Sequence, residues 1–305
     1  MQYLNGKRYY TMAQYCRQKF GGRIIKIPLN SGFSCPNRDG TKGTGGCIFC
    51  ANGAETALER LPLSAQYHAD LALVDKWQDA KPVAYFQNFS NTYATIERVE
   101  ALLKEALLLP ELAGIRLATR ADCIDSNMAD LLAHISEKTV LELELGLQTV
   151  HDSTAQAINR GHTFAEFCEG FYHIKQRHIY ACVHLINGLP QETPEMMLAS
   201  AKTLAALRPD GVKLHMLHVL LGTSMARTYQ HNEFSLLSQQ QYISLVCQQL
   251  RYFHPETVIE RLTGDGDKRT LVAPLWTKNK RGVLNAIDGA LARQNIWQGD
   301  LWEDK

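Results

Sequence analysis

The segment VLELELGLQ, residues 140–148, decides between the folds that the rest of the sequence allows. Side chains alternate along a β-strand, so its leucines share one face, while Glu142, Glu144, Gly146 and Gln148 share the other. A strand in an open sheet covered by helices on both sides should be apolar on both faces. The polar face therefore favours a strand that lines a cavity, as in an open barrel. The alternative is a half-exposed edge strand.

Short apolar segments alternate with helix-length segments on both sides of this strand. The predicted strands are Ile24–Asn30, Val83–Gln87, Gly114–Thr119, Val140–Thr149, Tyr180–Asn187 and Gly211–Val219. Helix start signals lie between them, including a capping box at Thr163 and Glu166 and a predicted helix over Ala65–Asp79. This alternation predicts a parallel sheet with right-handed crossovers. We therefore expect an α/β fold, a partial (βα)6 barrel over residues 1–222.

The strand–helix rhythm stops after Val219. The elements predicted beyond it are a helix opened by a capping box at Ser238 and Gln241, a strand at Thr257–Leu262, a turn at Gly264–Gly266 and a helix over about Arg281–Gln294. These elements predict that residues 223–305 form a small α+β extension packed on the barrel.

The composition is that of an ordinary globular protein. The chain has 305 residues, of which 45% are hydrophobic and 21% charged, and its formal net charge is +1. This balance gives no support for nucleic-acid binding and leaves room only for a local basic face. The N-terminus lacks the apolar core of a signal peptide, and the apolar runs are too short to span a bilayer. We expect a cytoplasmic protein that does not bind membranes.

The cysteines fall into two groups. Three of the eight, Cys35, Cys47 and Cys50, form a C-x11-C-x2-C cluster. The others occur singly, at Cys16, Cys123, Cys168, Cys182 and Cys247. Disulfides are rare in a reducing cytosol, so the single cysteines are predicted to be small buried apolar residues. The cluster requires a different explanation.

The cysteine cluster follows the first predicted strand, on the face of a βα barrel where ligands bind. The loop of residues 35–50 is rich in glycine, which permits close wrapping around a compact object. A structural zinc site and an ordinary [4Fe–4S] site each need four protein ligands. Three thiolates on a [4Fe–4S] cluster leave one iron open to another ligand. The alternative is a three-cysteine zinc site completed by water or a distant histidine.

Across nearly its whole length, the chain resembles the radical S-adenosylmethionine superfamily and, within it, the YhcC-like group, which is related to the catalytic subunit of Elongator. The matching stretches are GFSCPNRDGT (32–41), GGCIFC (45–50), YFQNFSNTYA (85–94), TRADCI (119–124), LELGLQTVHD (143–152), INRGH (158–162), HLINGLP (184–190), KLHMLHVLLGT (213–223) and RLTGDG (261–266). The resemblance implies that Cys35, Cys47 and Cys50 hold a [4Fe–4S] cluster. Once reduced, such a cluster cleaves bound S-adenosylmethionine to a 5′-deoxyadenosyl radical, which takes a hydrogen from the substrate.

The resemblance also implies where S-adenosylmethionine binds. The residues expected to contact it are Phe86, Gln87, Arg120, Glu144, Gln148, Gly188 and His215. For Arg120, a ligand carboxylate and an ordinary surface ion pair are equally good partners. One departure from the family pattern is the missing glycine after Leu189-Pro190, which puts the detail of the adenine-side loop in doubt.

Three further residues stand near this predicted site. Lys213 shares a strand face with His215, where both can contact substrate or ligand. Arg160 and His162 either bind substrate or cap a turn, and the sequence does not decide between these roles.

The partners are less defined than the chemistry. The resemblance implies an electron donor such as flavodoxin or ferredoxin, and it suggests a tRNA substrate modified on a wobble uridine side chain. Methylthiolation is disfavoured, because no second set of three cysteines exists to hold an auxiliary cluster. A zinc- or cluster-binding sensor or scaffold without radical chemistry is the alternative function. The sequence leaves open the substrate, the donor, the oligomeric state, and whether S-adenosylmethionine is consumed or regenerated.

Overall fold

The structure is a computed structural model that describes residues 3–50, 61–74, 80–264, 266 and 268–303. Within these residues the main sheet has seven parallel strands, in the order β1-β2-β3-β4-β5-β6-β8. They are β1 Ile24–Leu29, β2 Lys81–Phe86, β3 Gly114–Thr119, β4 Val140–Gln148, β5 Tyr180–Asn187, β6 Gly211–Met216 and β8 Val258–Arg261. A separate antiparallel pair consists of β7 Val219–Leu220 and β9 Leu271–Ala273.

Helices connect the strands. They are α1 Met12–Phe20, α2 Leu63–Val74, α3 Ile96–Leu107, α4 Ser126–Ser136, α5 Asp152–Ala157, α6 Phe164–Gln176, α7 Pro194–Ala206, α8 Ser224–Gln230, α9 Gln239–Leu250 and α10 Lys280–Arg293. Both predicted capping boxes are present, one at the start of α6 and one at the start of α9. Residues 75–79 of one predicted helix, and Asp265 in the predicted turn, lie outside the described residues. None of the described helices is long and apolar enough to cross a membrane.

The sheet is one strand wider than the predicted six-stranded barrel. Val258–Arg261, which the sequence placed in the extension, pairs in parallel with β6, with Gly211 opposite Val258. β6 also ends at Met216, and a separate short strand, β7, follows it. The sequence pattern shows where strands occur, but it does not show which sheet edge a strand joins after two intervening helices. The extension thus completes the barrel sheet.

The sheet is strongly curled. Arg116 on β3 forms a double ion pair with Glu260 on β8, at 2.6 Å for Nη1–Oε2 and 2.7 Å for Nη2–Oε1. In a flat sheet these strands would lie about 19 Å apart, four steps of ~4.8 Å each. Side chains can meet over that distance only if the sheet bends around them. The strands therefore form a half-barrel with Arg116 and Glu260 inside.

The two faces of β4 behave as their alternation predicts. Leu143, Leu145 and Leu147 are fully buried in the core between the sheet and its helices. Glu142 and Glu144 lie on the other face, inside the half-barrel, and are buried there among charged side chains. The polar face thus lies on the inside of the half-barrel, and the alternative of a half-exposed edge strand is wrong.

The single cysteines are partly as expected. Cys16, Cys182 and Cys247 are buried, whereas Cys123 and Cys168 are half-buried. Cys123 follows β3 in a short helical turn, Ala121–Cys123, at the same edge of the sheet as the cysteine loop.

Candidate functional site

The cysteine loop, residues 35–50, lies at the carboxyl edge of β1 and folds back on itself. Its turns are closed by backbone hydrogen bonds from Arg38 N to Cys35 O at 2.8 Å and from Cys50 N to Cys47 O at 2.9 Å. Gly45 and Gly46 have φ values of 78° and 76°, a left-handed conformation that other residues rarely adopt. These glycines let the chain reverse before Cys47.

The three cysteines of the loop differ in exposure. Cys35 and Cys47 are half-buried, and Cys50 is exposed. Burial raises the pKa of Cys47 to about 11, and the neighbouring Cys50 and Cys35 add to this effect, while Arg120 and the amide of Asn37 oppose it. The three predicted cluster ligands thus lie on one loop at one edge of the sheet.

The donor chemistry of this site fits an iron–sulfur cluster. Thiolates are the usual cluster ligands, and Asn37 Nδ2 lies 3.8 Å from Cys47 Sγ as a donor to sulfur. Among the described residues, no group of three His, Cys, Asp or Glu side chains is arranged to hold a metal ion. A [4Fe–4S] cluster spreads its thiolates over separate irons, so its ligands need not converge on one point.

A second loop, residues 158–162, supports the cysteine loop. Asn159 Nδ2 donates to the carbonyls of Gly46 at 2.8 Å and Thr44 at 3.2 Å, and Ile48 N donates to Ile158 O at 3.0 Å. Asn37 is fully buried and donates in turn to the carbonyl of Asn159. Two segments more than a hundred residues apart in sequence are thereby joined.

Arg120 connects this support to β3. Its Nε and Nη2 donate to the two carboxylate oxygens of Asp122 at 2.9 and 2.8 Å, and its Nη1 donates to the carbonyl of Arg160 at 2.7 Å. Burial raises the pKa of Asp122, but Arg120 outweighs burial and holds that pKa below its ordinary value. Of the two partners considered from sequence, the structure shows an ion pair, and this pair is buried.

Arg160 and His162 have different surroundings. Arg160 Nη1 donates to the carbonyls of Leu147 and Thr149, both at 2.6 Å, and so fastens the loop to the end of β4. His162 is buried with its Nδ1 3.8 Å from Asp122 Oδ1, and burial lowers its pKa to about 3. Arg160 thus caps the turn, and His162 is a neutral neighbour of the Arg120–Asp122 pair.

Three predicted ligand contacts lie at the same edge as the cysteine loop. Phe86 is fully buried in the core on the helix side, so only its backbone faces this edge. Gln87 is exposed just beyond β2. Gly188 follows β5 with φ 90°, and its N–H donates to Met197 Sδ at 3.0 Å.

Gln148 ends β4 in an unusual conformation. Its φ is 63°, and the pairing of β4 with β5 shifts register between Gly146 and Gln148. The side chain folds back over Gly146, where an added Cβ would lie 2.6 Å from Gln148 Nε2. Strained backbone of this kind is concentrated at functional sites, which keeps Gln148 a candidate for ligand contact.

Glu144 lies deeper, inside the half-barrel, among several cations. Its carboxylate accepts from Lys26 at 2.8 Å, Lys213 Nζ at 2.6 Å, Arg116 at 2.9 Å and the Tyr85 hydroxyl at 2.7 Å. Burial raises its pKa, but the His184 ring, with Nε2 3.5 Å from Glu144 Oε2, and the charges of the lysines hold that pKa well below its ordinary value. The negative charge of Glu144 is therefore already paired with cations of the protein itself.

Sequence reasoning missed most of this interior charge network. Arg116 is fully buried and binds Glu142, Glu144 and Glu260 together. The available signal was an arginine within the otherwise apolar strand GIRLAT, residues 114–119. A buried arginine implies carboxylate partners, but the sequence does not say which ones.

His215 lies beside a histidine that the sequence analysis did not select. The rings of His184 and His215 are 5.5 Å apart between centroids, on the inner faces of β5 and β6. Burial lowers the pKa of His184 to about 4 and that of His215 well below its ordinary value. Both imidazoles are therefore neutral near pH 7 and can donate or accept hydrogen bonds.

A basic rim, which we define as residues 268–281, borders the cysteine loop. Met225 N donates to Ile48 O at 3.0 Å, and Ile48 and Phe49 pack against the β7–β9 pair. The rim contains no acidic residue, and its cations are Lys268, Arg269, Lys278, Lys280 and Arg281. Leu275 is 60% exposed within it. Within a chain of near-zero net charge, this segment therefore carries five cations and no acid, directly after Asp265 and Asp267.

Comparisons with protein families place this architecture. A family model described as "Radical SAM superfamily" matches residues 35–204, beginning at the first cysteine of the loop. A second, described as "Radical_SAM C-terminal domain", matches residues 209–293.

Several relatives resemble the chain over most of its length. Uncharacterized protein YtqA of Bacillus subtilis is 42% identical over 302 residues, which cover 97% of this chain and 94% of that protein. Protein YhcC of Escherichia coli is 34% identical and is matched over 92% and 91%. Elongator complex protein 3 of Homo sapiens is 27% identical over 180 residues, 58% of this chain and 31% of that protein.

Solved structures agree on the fold. The structure of archaeal Elp3 from Methanocaldococcus infernus, lacking residues 1–46, superimposes with a TM-score of 0.67 at 13% identity. The match covers 90% of this chain and 63% of that one, so the chain spans less than two thirds of the solved protein. At this identity the likeness concerns the fold alone.

Proposed function

The chain belongs to the radical SAM superfamily, and on this basis we propose that Cys35, Cys47 and Cys50 hold a [4Fe–4S] cluster with which the enzyme cleaves S-adenosylmethionine. The observation that carries the proposal is the presence of three thiols on one glycine-rich loop at the carboxyl edge of β1. When bound and reduced, such a cluster supplies the electron that splits S-adenosylmethionine into methionine and a 5′-deoxyadenosyl radical.

The residues of this chain position that chemistry. Asn37 and Asn159 fix the cysteine loop against residues 158–162. Gln87, Gln148 and the backbone at Gly188 are the proposed contacts for S-adenosylmethionine at the strand ends. Their place at the edge that also carries the cysteine loop supports this assignment.

The interior of the half-barrel is the proposed substrate cavity. His184 and His215 present neutral imidazoles there, so the cavity offers hydrogen bonds rather than charge at this level. Below them, Glu144 and its cations form a buried floor, so we assign Glu144 and Arg120 to support of the site through their existing partners.

We further propose that the substrate is a tRNA, modified on a wobble uridine side chain. The resemblance to the Elongator-related group suggests this substrate, and the basic rim beside the cysteine loop supports it. Phosphate backbones bind clustered lysine and arginine. The rim lies in residues 223–305, whose separation from the barrel of residues 1–222 stays a prediction.

The reaction also needs an electron. We propose a flavodoxin- or ferredoxin-type donor, and a cytoplasmic location follows from such a donor and from a tRNA substrate. The exposed position of Cys50 supports electron entry at the cysteine loop.

The proposal is tested by anaerobic reconstitution with iron and sulfide. We expect about four irons per chain in the native protein and in a Cys168→Ala control, and loss of that iron in Cys47→Ala. One tightly held zinc ion per chain, unchanged by Cys47→Ala, would favour the sensor or scaffold alternative. For the substrate, nucleosides from a deletion strain and its parent are compared, and an identical profile would exclude tRNA.

A further inference from the structure

Arg38 occupies a special position inside the cysteine loop. Its guanidinium Nη2 donates a hydrogen bond to Cys50 Sγ at 3.3 Å. Arg38 is half-buried, whereas Cys50 is exposed at the end of the loop. The positively charged guanidinium of Arg38 therefore contacts the sulfur of Cys50 directly.

The Arg38 side chain has an aromatic neighbour among the described residues. Its guanidinium carbon lies 5.1 Å from the centroid of the Phe89 ring, a cation–π contact. Phe89 has φ 57°, a left-handed conformation that is uncommon for a bulky residue and that directs its ring towards the loop. The strained backbone at Phe89, just after β2, therefore accompanies an aromatic ring that lies against the Arg38 guanidinium.

Gly46 leaves the space through which Arg38 passes. A Cβ added at Gly46 would lie 3.1 Å from Arg38 Nε and 3.3 Å from its Cγ, closer than ordinary van der Waals contact. Gly46 also has φ 76°, so any other residue would be strained there. The space at Gly46 and the ring of Phe89 thus hold the Arg38 guanidinium so that its Nη2–H group points at Cys50 Sγ.

We propose that Arg38 is a positioning residue that raises the reduction potential of the cluster by donating to the Cys50 thiolate. The inference rests on the proposed function, since it requires a cluster on Cys35, Cys47 and Cys50. One electron from a flavodoxin-type donor adds one negative charge to the cluster and its sulfurs. A charged N–H donor at a ligating sulfur stabilises this more negative state, which makes reduction easier.

The test is a redox titration of the reconstituted holoenzyme with dithionite, followed by electron paramagnetic resonance. We expect Arg38→Met to shift the midpoint potential to more negative values and to change the g-values of the reduced cluster. Arg38→Lys keeps the charge but lacks the planar donor fork, so an intermediate shift is expected. Phe89→Leu releases the guanidinium and should shift the potential in the same direction by a smaller amount.

Arg98→Met is the matched control. Arg98 also lies over a phenylalanine of the same region, 5.3 Å from the centroid of the Phe33 ring, and its removal changes the net charge equally. The proposal requires that Arg38→Met shift the potential more than this control does. Equal shifts, or none, would overturn it. If Arg38→Met holds no cluster, the Arg38→Lys and Phe89→Leu potentials decide in the same way.

This result is separable from failure of the proposed function. If the native protein assembles no cluster, the proposed function fails. If native protein and Arg98→Met assemble a cluster and cleave S-adenosylmethionine, while the Arg38 variants keep the native potential, only the inference about Arg38 fails.

Discussion

Lys42, in the cysteine loop, lies with its Nζ 2.8 Å from Oδ2 of Asp122, in the short turn that follows β3. The Asp122 side chain is almost completely buried, and its two oxygens also accept hydrogen bonds from Nε and Nη2 of Arg120. Lys42 reaches further to Glu166 on α6, at 2.9 Å. The loop that carries the three thiols is thus attached to the barrel by charge as well as by backbone hydrogen bonds.

Removal of the charge on Asp122 should loosen this attachment. Asp122→Asn preserves the shape but leaves Arg120 without its counter-ion and Lys42 paired with Glu166 alone. Losses of outer-shell partners typically weaken metal binding by 10- to 100-fold, so we expect chelators to remove iron roughly 10-fold faster than from the native enzyme. Asp130→Asn breaks an exposed ion pair with Arg177 and serves as the control. Equal rates of iron loss in the two variants would contradict a role of Asp122 in holding the loop.

The ion pair that spans the half-barrel should be important for stability. Glu260→Gln leaves the fully buried Arg116 with one carboxylate fewer, and breaking a buried pair in this way typically costs about 3 to 5 kcal/mol. Urea unfolding of the iron-free protein measures the loss. Glu100→Gln removes an exposed pair with Lys104 and should cost at most about 0.5 kcal/mol. A similar small cost for Glu260→Gln would mean that the curl of the sheet does not depend on this contact.

The same carboxylate predicts a pH dependence. Burial raises the pKa of Glu260, but the charge and hydrogen bonds of Arg116 outweigh burial and bring it to about 2, from an ordinary value of 4.5. A depressed pKa contributes stability that is complete above pH 4.5 and is lost as the pH falls towards 2. The free energy of unfolding should therefore fall across this range, and less steeply in Glu260→Gln. Parallel slopes in the two proteins would refute the assignment.

The basic rim predicts how RNA binding responds to salt. Replacement of Lys278, Lys280 and Arg281 by glutamine should weaken tRNA binding. It should also lower the slope of log affinity against log salt by roughly 2 to 3, for three lost phosphate contacts. Fluorescence anisotropy at several salt concentrations measures both quantities.

A matched triple variant lies at the opposite end of the barrel. Arg17, Lys19 and Arg23 are exposed on and just after α1, near the amino ends of the strands, and their replacement by glutamine removes the same charge. If this control weakens binding as much as the rim variant does, the contact is non-specific attraction and the rim is not the binding surface.

The parts of the fold that depend on local pattern were predictable from sequence. The alternation in residues 140–148 correctly places Glu142 and Glu144 inside a curved sheet, because side-chain direction along a strand is a local property. The position of the cysteine loop directly after β1 was predictable for the same reason, because it depends only on the order of these segments along the chain. Both capping boxes belong to the same class of signal.

The remaining features depend on contacts between distant segments. The join of β8 to β6, and hence the Arg116–Glu260 pair, requires knowledge of which edge the extension reaches. The sequence of residues 119–124 likewise does not show that Arg120 pairs with Asp122 and donates a hydrogen bond to the loop of residues 158–162. Arg38 lies within a matching stretch, yet its hydrogen bond to Cys50 depends on the three-dimensional course of the loop.

The three cysteines of the loop are proposed to support reductive cleavage of S-adenosylmethionine. The most direct measurement is formation of 5′-deoxyadenosine by the anaerobically reconstituted enzyme after addition of dithionite and S-adenosylmethionine. We expect 5′-deoxyadenosine from the native protein and from Cys168→Ala, and none above background from Cys35→Ala, Cys47→Ala or Cys50→Ala. Two results would contradict this expectation. One is native protein that carries its full iron and forms no 5′-deoxyadenosine. The other is formation of 5′-deoxyadenosine by the three cysteine variants in the same amount as by the native protein.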